Sequence, residues 1–87
     1  MNNNFKLLDS VAILKPISKT RLTLVEPEYA SISSLPTGLV GTIVEVYDTG
    51  KECQYLVEFA DNQGAEYAMA VLKANEILVL LYELAVV

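Results

Sequence analysis

The sequence predicts an all-β domain, a small and strongly bent barrel of about five strands with a long first loop. Three observations predict it. Short β-branched and apolar segments alternate with turn residues, which is the period of strands and not of helices. The chain is 87 residues long and 53% hydrophobic, enough for one small core and too apolar for disorder. All three prolines, Pro16, Pro27 and Pro36, fall in a single stretch and leave the remainder free to pair as a sheet.

Each element has its own signal. Val11-Ala12-Ile13-Leu14 reads as a short buried strand that Pro16 ends. Gly41-Thr42-Ile43-Val44-Glu45-Val46-Tyr47-Asp48 is β-branched and aromatic, with Gly38 before it and Thr49-Gly50 after. In the next strand Tyr55, Val57 and Phe59 share one face by the period of two. Asp61-Asn62-Gln63-Gly64 is a turn, because Asp and Asn bond their own backbone and Gly supplies positive φ. It leads into Glu66–Val71, where Tyr67, Met69 and Val71 are expected on one face and Glu66, Ala68 and Ala70 on the other. Leu72–Glu76 can form one helical turn, and Ile77–Tyr82 is the last strand.

Residues 15–37 break this rhythm and read as one long loop, with Arg21–Val25 as an alternative strand arm and Glu26–Tyr29 as a turn, folded into a hairpin of its own at most. The layout of strand, long loop, three meandering strands, helical turn and final strand is that of an SH3-like barrel. The expected organisation is a frayed arm at 1–6, the barrel at 7–80 and an apolar extension at 81–87.

Composition narrows the functions. Eleven acidic against six basic residues leave a net charge of −5, and the cations are scattered. Phosphate neutralisation needs clustered Lys and Arg, so nucleic acid is not the expected partner. The chain has no His and a single Cys, Cys53, flanked by Glu52 and Gln54. No intrachain disulfide can form, which fits a reducing compartment. Zinc lacks its ligands, and the thiol has no base or cation beside it in sequence. Met1–Lys6 lacks a signal-peptide layout, and the longest apolar run is far short of a bilayer span. The expected location is cytoplasmic.

Gly38-Leu39-Val40-Gly41-Thr42-Ile43-Val44-Glu45 followed by Tyr55-Leu56-Val57-Glu58-Phe59, with Leu8–Leu14 before and Gly64–Leu72 and Ile77–Leu80 after, resembles the domain-of-unknown-function family 4926. The resemblance covers about residues 7–80. It implies an SH3-like fold and a bacterial, often cyanobacterial, source. It brings no catalytic residues. This chain departs from the family's pattern in its longer Lys15–Thr37 connection and in the tail from Leu81 to Val87.

No catalytic, cofactor or metal residues are assigned. Gly38, Gly41 and Gly64 are read as structural, Gly41 for a positive φ or a close backbone approach. Glu45, Glu58 and Glu66 lie on successive strands and read as a solvated outer face. The tyrosines are more informative, since Tyr is enriched at interfaces. Tyr29 and Tyr47 are candidates for a peptide-holding platform, against the alternative of core or rim packing. The candidate partner-binding set is Arg21, Leu22, Leu24, Glu28 and Tyr29 in the loop, Tyr47 on its strand, and Tyr82, Leu84 and Val86 in the tail.

The expected function is a non-catalytic protein-binding module that uses its long first loop and a sheet edge. The resemblance suggests a partner encoded nearby, as for an antitoxin or immunity protein. A structural or assembly subunit of a larger complex is the alternative, and a nucleic-acid-binding SH3-like module is a second, disfavoured by charge. A homodimer through the tail is weighed evenly against a tail that packs on its own barrel.

Overall fold

A computed structural model describes residues 5–81. They form a six-stranded antiparallel sheet and a separate two-stranded one. The large sheet contains β1 (Ser10–Ile13), β3 (Leu22–Leu24), β5 (Val40–Asp48), β6 (Cys53–Ala60), β7 (Glu66–Lys73) and β8 (Ile77–Val79), in the order β3-β7-β6-β5-β1-β8. The small sheet pairs β2 (Ile17–Ser18) with β4 (Ser34–Leu35). The all-β class holds, with more strands than the five expected.

The meander β5-β6-β7 is local and built on turn chemistry. Asp48 accepts the Gly50 amide at 2.9 Å to start the first hairpin. Asp61 accepts the amides of Gln63 and Ala65 at 2.9 and 3.0 Å to start the second. Gly38 and Gly64 carry φ of 91° and 85°, a region closed to most side chains. Alternation then fills the core. Val11, Ile13, Ile43, Tyr55, Val57, Phe59 and Leu72 are essentially inaccessible.

Two register shifts bend the sheet, one between Ile43 and Glu45 and one between Phe59 and Ala60. The second corrects the expected facing of β7. Phe59 pairs with Ala68 and Ala60 with Glu66, so Tyr67 is the extra residue of a bulge. Tyr67 and Ala68 are therefore both buried, Ala70 and Leu72 follow inward, and Val71 faces out at 40% exposure. The first strand also alternates and is not a wholly buried run. Val11 and Ile13 are buried, whereas Leu14 is 48% exposed.

The long first connection is part of the fold. Its β3 joins the main sheet along β7, pairing Leu22 with Ala70, Thr23 with Met69 and Leu24 with Ala68. Ile17 and Leu35 are buried in the core, and Leu22, Leu24, Tyr29 and Ile32 pack against it. A domain this short gains core by folding the connection over itself. The expectation of one long loop is corrected accordingly.

Gly41 has ordinary negative φ, so the positive-φ alternative is set aside. The close approach decides. A Cβ there would lie 2.6 Å from Val57 Cγ1 and 2.9 Å from the Glu58 carbonyl oxygen. Glycine lets β5 lie this close to β6.

Candidate protein-binding surface

The loop is fastened by an ion pair that joins the two ends of the sheet. Arg21 ends a 3-10 turn (Lys19–Arg21) just before β3, and Glu76 ends another (Ala74–Glu76) just before β8. The Arg21 guanidinium donates to both carboxylate oxygens of Glu76, at 2.6 and 2.9 Å, in a bidentate fork. It also donates to the Val71 carbonyl at 3.2 Å. Glu76 is only 6% exposed and accepts the Lys73 amide at 2.9 Å. The Arg21 hydrogen bonds hold the Glu76 carboxyl down at a pKa of about 2, with burial acting the other way. Lys19 adds a hydrogen bond from its ammonium to the Ala30 carbonyl.

Within this frame the sequence-selected residues separate. Arg21 is engaged by Glu76. Leu22 and Leu24 turn their side chains onto the core while their strand forms a sheet edge. The Val25 amide donates to the Tyr67 carbonyl, so the ladder's bonded positions on β3 are the odd residues. The amides and carbonyls of Leu22 and Leu24 therefore point away from β7. Val25 is 46% exposed and Glu28 is exposed on the following turn (Pro27–Tyr29). Tyr29 stacks on Tyr67 with ring centroids 4.4 Å apart and planes 18° apart.

Tyr29 and Tyr47 do not form one platform. Tyr47 pairs with Gln54 at one end of β6, and Tyr67, which holds Tyr29, follows the bulge at the other end. That separation along the strand is about 17 Å at the usual rise per residue. Tyr47 stands alone at 40% exposure. Tyr82, Leu84 and Val86 lie outside the described residues.

The carboxylates also separate. Glu45 is exposed, whereas Glu66 meets Glu58, and one Glu66 oxygen is buried without a partner among the described residues. Burial first, then the Glu58 charge and hydrogen bond, raise the Glu66 carboxyl's pKa. Among the described residues no group of three or more His, Cys, Asp or Glu is placed to hold a metal ion. A cleft of about 510 Å³ opens between the β5–β6 turn and the Ala74–Glu76 turn, lined by Asp48, Lys51, Glu52, Cys53, Lys73 and Asn75 among others. Cys53 is half-buried there, and Tyr55 is fully buried, its hydroxyl without a hydrogen-bond partner among the described residues.

Sequence reading missed the Arg21–Glu76 fork, which spans 55 positions. It also missed the apolar outer face beside β8. Ala12 pairs with both Val40 and Leu78, which places all three on one side. Val40 is 46% and Leu78 53% exposed, with Leu14 further along β1 on the same side. The signal was present, since Ile77–Leu81 is apolar at every position rather than at alternate ones.

Fold and surface together define a small all-β domain, one bent antiparallel sheet with a folded first connection. The chain belongs to the family described as a domain of unknown function (DUF4926), whose model matches residues 7–79. No curated protein and no solved structure matches it. No helix among the described residues is long and apolar enough to cross a membrane.

Proposed function

We propose that this protein is a non-catalytic protein-binding module on an SH3-like frame, and that it binds its partner along β3 and the connection around it. The sheet order β8-β1-β5-β6-β7, with a 3-10 turn before β8, supports the SH3-like reading. One observation carries the functional reading: the long connection itself supplies an edge strand of the main sheet. Loop and edge are thus one continuous surface, with the outward backbone of Leu22 and Leu24, the exposed Val25 and the Glu28 turn. A partner strand can add to such an edge through main-chain hydrogen bonds, with side-chain pockets giving specificity. The Arg21–Glu76 fork holds the surface in place before binding, which lowers the ordering cost. The partner is the product of a neighbouring gene, in the manner of an antitoxin or immunity protein, and the pair works in the cytoplasm.

The test is affinity purification of the tagged full-length chain from its native host, beside a Leu24→Pro variant. The Leu24 amide points away from β7, so proline there removes an edge donor while the ladder to β7 is kept. The expected result is a stoichiometric partner, encoded next to this gene, that is captured by the wild-type chain and lost with the variant. A captured protein that ignores Leu24→Pro would place binding elsewhere on the molecule.

A further inference from the structure

We propose that β8 is the seam of a two-fold homodimer, in which the β8 edges of two copies pair antiparallel. This goes beyond the reading of β3, which lies at the opposite edge of the sheet. The argument starts from which backbone groups are spent. The Leu80 amide donates to Ser10, and the Leu14 amide donates to Glu76. With Leu78 opposite Ala12, the even positions of this segment face β1. Ile77, Val79 and Leu81 turn their amides and carbonyls to the other side. Among the described residues these groups have no backbone partner.

Natural edges are usually blunted by charge, proline or a bulge. From Ile77 to Leu81 this edge has none of them. It is flanked by the apolar outer face of Leu78, Val40 and Leu14, and Leu81 is 81% exposed. A row of this kind on a small protein marks an interaction site.

The occupant is set by self-complementarity. A two-fold interface must match a surface to its own copy. Free odd positions must meet free odd positions, and an axis at Val79, the middle of Ile77, Val79 and Leu81, is the one that uses all three. Centred on Val79, the register places Val79 opposite Val79 of the second copy, Ile77 opposite Leu81, and Leu78 opposite Leu80. Every cross-strand pair is apolar, and each apolar pair of this kind is favourable.

The test uses the full-length chain. Light scattering over a dilution series should show twice the 9.6 kDa chain mass at about 100 µM protein, falling on dilution. Leu81→Pro removes an outward amide at a solvent-exposed position and should raise the dimer dissociation constant by about tenfold or more. Register is read by cross-linking in a Cys53→Ser background. An equimolar mixture of Leu78→Cys and Leu80→Cys chains should form an inter-chain disulfide under mild oxidation, since directly opposed residues lie within disulfide range. Either variant alone should not. A chain that stays monomeric, or a dimer whose mixed variants fail to cross-link, overturns the proposal. Neither outcome bears on capture through β3, because Leu24→Pro leaves β8 intact.

Discussion

The sheet ends on one side in β3 and on the other in β8, and the two edges are finished in different ways. The β3 edge is short, is preceded by Arg21 and is followed by Glu26 and Pro27. The β8 edge is apolar throughout and continues into more apolar sequence. The first is an edge guarded by charge and proline, on which only a matched partner gains. The second is unguarded and needs a cover. One small domain can therefore hold a selective contact and a self-contact without the two competing for the same backbone.

The comparison breaks most completely at Gly41, because its close approach to β6 lies in the meander between the two edges. Gly41→Val should abolish the cooperative melt, and Gly41→Ala should cost about 2 kcal/mol or more through overpacking against Val57 and the Glu58 carbonyl. A Gly41→Val melt close to wild type would show that the strands can separate there at little cost.

Arg21→Ala strikes one edge alone. It leaves the Glu76 carboxylate buried with the Lys73 amide as its remaining partner. The expected loss is about 2 kcal/mol, or about 10 °C in melting temperature for a domain of this size. Dimerisation through β8 should survive, and capture through β3 should weaken. The same contact makes the protein acid-sensitive. The folded-state pKa of Glu76 lies below its unfolded value, so its contribution is complete above pH about 4.5 and is lost as pH falls toward about 2. Denaturant melts at pH 6 and pH 3 should differ more for wild type than for Arg21→Ala.

The smallest expected effect belongs to neither edge. Tyr55→Phe removes a buried hydroxyl that has no hydrogen-bond partner among the described residues. Stability should stay the same or rise by up to about 1 kcal/mol. A loss of that size would mean that the hydroxyl has a partner, such as a buried water.

The local half of this fold was legible in the sequence and the non-local half was not. The β5–β6–β7 meander follows from β-branched runs and from turns whose Asp and Gly have one use each. The family resemblance rests on the same stretch, together with β1 and β8. The facing of β7 was misread because a bulge at Tyr67 changes the parity of the strand, and no residue type announces a bulge. The first connection was read as loop because its strands are two or three residues long and pair far along the chain. Arg21 was selected as a partner-binding residue within the loop. That Glu76 takes it up depends on how the sheet curls, which composition does not encode.

The Arg21–Glu76 fork also bears on how the molecule opens. β3, held on by the Arg21 fork, a three-residue ladder and the half-buried Leu22 and Leu24, can detach while the meander stays folded. Amide hydrogens of β3 should then exchange with solvent much faster than those of β6, and acid should speed the first without the second. In that state the second long side of β7 is laid bare. The fork thus acts as a latch over that side of β7.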